Sequence, residues 1–289
     1  AFDAVGILGD EPGGDYQNDA AANPGDDFIV WSDPMLSNIL TGTALPNPNT
    51  IGAFTNNDHL SRPSMSDDGT VMTYVHSDGS IRYMELDWSS GNPQITDEFN
   101  LNSTSTWRNI VVSKDGNRIA ALFGDLSQNE FDNEILVYDF IADEGRWFVL
   151  TNPTSADGIS TGDVLYADAL EFDITGQFVL YDAFNQIPST FGEDISYWDI
   201  GIINVWNNNT NDFADDVEPQ IVKVFNNLGD QVSVGNPTFA KNSPYIIAFD
   251  KIEAGLFDTD YSVNGANIQT GDQGIIFENN KPGYPSYSI

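Results

Sequence analysis

A unit of strand, tight turn and strand recurs along this chain, and that recurrence restricts the fold more than any single residue does. The clearest copy runs from Arg62 through Pro63, Ser64, Met65, Ser66 and Asp67 to Asp68 and Gly69, and the apolar run Val71 to Val75 follows it. Gly69 supplies the positive φ that a two-residue hairpin turn after Asp68 requires. A second turn, Ser77 to Ser80, leads into Ile81 to Leu86. Strands joined this closely pair antiparallel.

Asn109 to Gly116 repeats the template and is followed by Arg118 to Phe123; Ala169 to Gly176 repeats it again before Phe178 to Asp182. A weaker copy, Asn236 to Ser243, precedes Tyr245 to Asp250. The spacing widens along the chain while the content stays constant, so the added length is assigned to loops, including Gln186 to Glu193 and the Asp- and Gly-rich passage Ala254 to Gly274. Outer strands are expected at Ile39 to Thr43, Arg146 to Leu150, Val217 to Phe225 and Ile275 to Glu278, with Glu134 to Phe140 and Ile195 to Trp206 inside them. Pro46 and Pro48 mark a passage between units. No apolar series at helical spacing runs for ten residues with caps, so no helix is expected.

The two ends complement one another. Tyr284 to Ser288 has the form of a first strand, whereas Ala1 to Leu8 has the form of a second and Phe28 to Trp31 of a third, across a polar stretch from Gly9 to Asp27. The expected architecture is therefore all-β: a propeller of four-stranded antiparallel blades, five in number, with the N- and C-terminal strands sharing one blade. Small tandem sheets cannot each bury both faces alone, and a radial arrangement buries them against their neighbours. The single domain 1–289 divides into blades at 1–57 plus 284–289, 58–100, 101–152, 153–229 and 230–283. A six-bladed ring, or a segment of a larger one, is the alternative. An opening Ala1 with no basic-then-apolar leader reads as a processed form or a piece of something longer.

The run Pro63 to Gly69, with its Ser before Asp-Gly, and the Tyr138-Asp139 that ends a later strand, resemble the TolB-like class of WD-type propeller repeats. The resemblance implies a binding platform of the bacterial envelope or exterior, or a gate beside a catalytic domain. That class is typically six-bladed, and five copies are found here.

Ten Lys and Arg stand against 44 Asp and Glu, a net charge of −34. Such a polyanion excludes nucleic acid as a partner, because binding it depends on neutralising phosphates. It favours a saline or calcium-rich exterior that screens self-repulsion, so a secreted, extracellular or periplasmic location is expected. Cysteine is absent, which removes any disulfide framework. No run of 18 apolar residues offers a membrane span.

Gly158 to Gly162 spells the G-x-S-x-G string of serine hydrolases, but it lies in a polar loop with both histidines, His59 and His76, upstream of it. The histidines lack a partner at ligand spacing and read as surface or packing residues. Acidic loops offer oxygen ligands of the kind calcium takes, with Asp258, Asp260, Asp15 and Asp19 as the candidates. If the first strand of each blade lines the channel, Arg62, Asn109, Asp168, Asn236 and Tyr284 ring one mouth and Glu171 lies deeper, a polar ring suited to a ligand or peptide end. The tryptophans Trp31, Trp88, Trp107, Trp147, Trp198 and Trp206 fit packing between blades, or sugar faces.

These features point to a non-catalytic binding or scaffold module for protein or polysaccharide, with no cofactor beyond calcium. The alternative is a five-bladed glycoside hydrolase using Asp168 and Glu171, which would need their carboxyls about 5 to 9 Å apart. A third reading is an accessory propeller domain of a larger exported hydrolase.

Overall fold

The computed structural model describes residues 5–8, 28–31, 49–53, 61–76, 79–90, 94–102, 107–123, 133–151, 164–188, 194–215, 221–225, 231–255, 258–283 and 285. For 5–8, 28–31, 49–53, 61, 62, 187, 188, 194, 195 and 279 the description is of the backbone. Every regular element among the described residues is a strand.

In chain order, β1 (Val5–Leu8), β2 (Phe28–Trp31) and β3 (Asn49–Ala53) form a three-stranded sheet. β4 (Ser61–Met65), β5 (Val71–Val75), β6 (Ile81–Asp87) and β7 (Gln94–Asn102) form the next, in that order and antiparallel throughout. β8 (Trp107–Val112), β9 (Arg118–Phe123), β10 (Glu134–Asp139) and β11 (Glu144–Val149) follow the same plan. In the fourth sheet β12 (Val164–Phe172), β13 (Phe178–Pro188) and β14 (Asp194–Asn204) are joined by β17 (Ile221–Lys223), while the two-residue strands β15 (Trp206–Asn207) and β16 (Asp212–Phe213) make a side ribbon. β18 (Val232–Phe239), β19 (Ile246–Ala254), β20 (Thr259–Asn267) and β21 (Asp272–Asn279) complete the described sheets.

Side-chain alternation then stacks the sheets. A strand sends successive residues to opposite faces, and in β9 both faces are apolar. Ile119 and Ala121 pack with Val71, Val75 and Ile81 of the preceding sheet. Ala120 and Leu122 pack with Val164, Leu170 and Val179 of the following one. β13 repeats the device, with Val179 and Tyr181 turned one way and Leu180 turned to Val234 and Phe249. This sharing explains why β5 is buried at every position, whereas the outer strand β7 is exposed along most of its length. The first strands β4, β8, β12 and β18 touch one another in sequence, so they form the innermost layer.

Each of these inner strands breaks register with its neighbour: between Ser61 and Ser64, Trp107 and Asn109, Ala167 and Leu170, and Gly235 and Thr238. A bulge releases backbone groups from the ladder. The buried Asp182 on β13 takes up those of β12, accepting from the N–H of Asp168 at 3.2 Å and of Ala169 at 2.7 Å. Its other oxygen accepts from the N–H of Asn236 at 2.7 Å, in the bulge of β18. Asn236 has φ 50°, a left-handed conformation that Asn tolerates better than most residues.

Several sequence expectations change. The connection after each inner strand is longer than a two-residue turn: Ser66 N–H donates to Val71 O at 3.0 Å, which leaves four residues in the loop. Where a loop is expected at Gln186 to Glu193, β13 continues to Pro188 and β14 begins at Asp194, register intact. The passage Ala254 to Gly274 contains a full strand, β20, because pairing with β19 and β21 on both sides overrides its Asp-, Ser- and Gly-rich composition. Strand β7 has no counterpart in the sequence reading, and β3 follows Pro46 and Pro48 in place of a passage between units. The expected strand at Ile39 to Thr43 lies outside the described residues, as does the pairing of 284–289 with the first sheet.

Candidate functional site

Two groups of polar side chains occupy the inner layer. At the bulged end, Asn109 Nδ2 donates to Asp168 O at 2.7 Å while its Oδ1 accepts from Ile110 N–H at 2.8 Å. The Arg108 guanidinium is 3.8 Å from Asp168 Oδ1 and sits over the Tyr166 ring, 4.9 Å from its centroid. Tyr166 in turn stacks on Phe184 at 5.2 Å and meets Trp198 edge-on at 5.3 Å. The lengthened β13–β14 hairpin puts Phe184 and Trp198 there as cross-strand partners, and all three rings are half-buried. Asp168 keeps 37% of its side chain exposed, against 8% for Arg108.

The second group sits where the inner strands run into their turns. Glu171 on β12 accepts from Lys114 Nζ at 2.9 Å through one oxygen. Through the other it accepts from the Thr238 hydroxyl and from Phe239 N–H at 3.1 Å. One carboxylate thus ties β8's turn, β12 and β18 together. Burial alone would lower the Lys114 pKa, but the Glu171 charge and hydrogen bond outweigh it and hold the ammonium above its ordinary range. Burial, followed by the Lys114 charge, pushes the pKa of the Lys241 amine, just beyond β18, down.

No protein-family model matches the chain, and no curated protein matches it in sequence. Among solved structures, TolB from Acinetobacter baumannii aligns with a TM-score of 0.54 at 14% identity, over 96% of this chain and 53% of that one. The fold is a TolB-like β-propeller. The β-propeller domain of the Trilobed protease from Pyrococcus furiosus aligns over 77% of this chain and 58% of its own, at 13% identity and a TM-score of 0.41. This chain spans about half the length of the TolB structure.

On this propeller the residues expected at one mouth are partly brought together. Asn109 and Asp168 are bonded directly, and Asp168 and Asn236 share Asp182. Asn236 Nδ2 also donates to Asp250 Oδ2 at 3.0 Å. Glu171 belongs to the turn end, as a clasp between strands. The Arg62 side chain and Tyr284 lie outside the described residues. Arg108, Tyr166 and Phe184 are not singled out by the sequence. Their signal was there in part, since Trp107-Arg108 precedes Asn109 and Tyr166 precedes Asp168 by two, but only the hairpin extension reveals that they converge.

Of the calcium candidates, Asp258 and Asp260 are exposed, and Asp258 O accepts from Gly255 N–H at 2.8 Å in a local turn. Among the described residues no three acidic or histidine side chains converge as a metal site. Asp15 and Asp19, His59 and the Gly158 to Gly162 string lie outside the described residues. Among the described residues no helix is long and apolar enough to cross a membrane.

Proposed function

We propose that this chain is a non-catalytic recognition module of the bacterial envelope or exterior, which binds a segment of protein or polysaccharide on the bulged end of its inner layer. One observation carries the reading: a half-buried platform of Tyr166, Phe184 and Trp198 adjoins the Arg108–Asp168 pair. Aromatic faces with a charged, oriented rim suit a peptide or a sugar ring. The engagement of both Glu171 oxygens supports a binding role over hydrolysis, since an acid or base must reach its substrate. The −34 charge supports a screened, exterior setting.

The test is a peptide array and a polysaccharide panel probed with the wild type and with the double variant Tyr166→Ala, Trp198→Ala. Retention of a peptide or polysaccharide by the wild type, lost in the variant, is the expected result. Release of reducing sugar from any member of the panel would replace the reading with an enzymatic one, and equal retention by both proteins would move the site elsewhere.

A further inference from the structure

We propose that the outer seam between the second and third sheets docks a segment of a partner protein in which an aromatic side chain is flanked by arginine or lysine. The surface shares no residue with the platform of Tyr166, Phe184 and Trp198 and does not depend on it.

The next seam along shows what such a surface takes. Between the third and fourth sheets the ribbon β15–β16 reaches across from the fourth: Phe213 meets Phe148 of β11 at 6.5 Å, and Ala214 O accepts from Arg146 Nη1 at 2.9 Å. The buried Trp206 lies under the Arg118 guanidinium, its ring centroid 4.5 Å from Cζ. Arg118 in turn pairs with Asp139 at 3.5 Å. An aromatic cap and an arginine thus complete that seam.

The second and third sheets share the frame and have neither. Phe140 N–H donates to Asn117 O at 2.9 Å, as Val205 N–H does to Gln177 O at 2.9 Å. From Val205 the chain goes on into the ribbon, whereas Phe140 is separated from β11 by Ile141, Ala142 and Asp143 alone. Ile141, at the place of Trp206, is left 73% exposed. Glu85 stands where Asp139 stands one sheet on, since each pairs across the sheet with the first residue of the second strand. That residue is Arg118 beside Asp139 but Val71 beside Glu85. Directly opposite Glu85 on β7 is Asp97, and like charges so placed weaken the pairing. Among the described residues no cation pairs with either. On the same face, two residues along, Tyr83 is opposite Phe99, with ring centroids 6.2 Å apart, and meets Phe140 of the third sheet edge-on at 4.9 Å. Phe99 is 43% exposed.

A strand or hairpin laid along this seam would cover Phe99 and Ile141 with its aromatic residue while its cation reached the two carboxylates. The net charge of −34 steers such a basic segment inward. An acidic polysaccharide would be repelled by the same carboxylates, and a neutral one would leave their charge unmatched. A protein partner is favoured for that reason.

The experiment is calorimetric titration of the intact chain with acetyl-Arg-Ser-Trp-Ser-Arg-amide, whose alternate residues share a face when extended. Two analogues accompany it, one with Glu for both Arg and one with Ala for Trp. The parent peptide is expected to bind at least about tenfold more tightly than either analogue. Glu85→Gln with Asp97→Asn, and separately Phe99→Ala, should each weaken it about tenfold, with native near-ultraviolet circular dichroism. Asp260→Asn with Glu278→Gln, which neutralises exposed carboxylates of the fifth sheet, should leave binding unchanged, as should Tyr166→Ala with Trp198→Ala. Equal weakening by the Asp260 and Glu278 changes would reduce the effect to attraction between a basic peptide and a polyanion, and overturns the seam. Loss of binding in the Tyr166 and Trp198 variant overturns it as well and assigns the peptide to the platform. Absence of binding by the wild type, or equal binding of the alanine analogue, overturns the docking site and leaves the platform reading to its own panel.

Discussion

The turn after β18 does without what the turns after β4, β8 and β12 share, and the difference shows what closes these hairpins. In the first three, a side-chain oxygen at the residue after the inner strand accepts from the first N–H of the next strand: Ser66 from Val71 at 3.1 Å, Ser113 from Arg118 at 2.9 Å, Asp173 from Phe178 at 2.9 Å. Three residues further on, Gly69, Gly116 and Gly176 take φ of 73°, 74° and 66°. The fourth copy has Ala240 and Ser243 at these places. It keeps the bond from Ser243 N–H to Ala240 O, at 3.2 Å, but the strand-closing bond from Ala240 N–H now reaches Ile246, one residue later than in the other copies. Where chemistry for the left-handed position is missing, the chain adds a residue instead of straining one that dislikes it.

Changes that erase the distinction should cost most where the turn is best built. Asp173 is fully buried and accepts from the N–H groups of Thr175, Gln177 and Phe178, so Asp173→Ala strands three donors. A loss of about 3 kcal/mol in urea-monitored unfolding is expected. Gly176→Ala should follow closely, at about 2 to 3 kcal/mol, since it combines an unfavourable φ with a collision. Its Cβ would stand 2.7 Å from Nη2 of Arg118, a buried side chain paired with Asp139 at 3.5 Å and laid over Trp206. Gly116→Ala, whose nearest neighbour is Val71 Cγ2 at 3.4 Å, should cost about 1 kcal/mol, from backbone conformation alone. A loss as large as that of Gly176→Ala would show that the Arg118 contact is not what separates the two sites. Ser243→Gly should change stability by less than about 0.5 kcal/mol, because that position does not need a glycine.

Acid sharpens the same contrast. Burial alone would raise the Asp115 carboxyl, yet hydrogen bonds from Ser113 and Asn117 and the Arg118 charge hold it below its ordinary 3.8. A carboxyl with a depressed folded pKa adds stability that is complete above the unfolded value and is lost as pH falls through the folded one. The stability gap between the wild type and Asp115→Asn should therefore be constant at neutral pH and close as pH drops below 3.8. The fourth turn carries Asn242 at this place, and Asn242→Ala should show no such closure over that window.

The turns were legible in the sequence because their chemistry is local: Ser, Asp and Gly act on backbone within five residues. The strands were legible for a related reason, and Val71 to Val75, Arg118 to Phe123 and Phe28 to Trp31 stand where apolar runs place them. Hidden were features set by partners far along the chain. Lys114 and Glu171 are 57 residues apart, and Asp182 and Asn236 are 54 apart. Nothing near Asn109 announces that its amide is committed to the Asp168 carbonyl. The likeness to TolB-like repeats gave the architecture because packing between sheets needs only the alternation of apolar residues. It could not give the site, which depends on how far one hairpin, β13 to β14, outgrows the others.

The broken register of β4, β8, β12 and β18 bears on how anything could be held at the propeller's centre. Each of these strands is the terminal one of its sheet, and an intact free edge would invite an extended peptide to join it by main-chain pairing. Kinks at all four, with Asp182 occupying amides that two of them release, withdraw that invitation. A guest is left to be read through side chains, one group at a time, and the same irregularity keeps two copies of the molecule from zipping together along their cores.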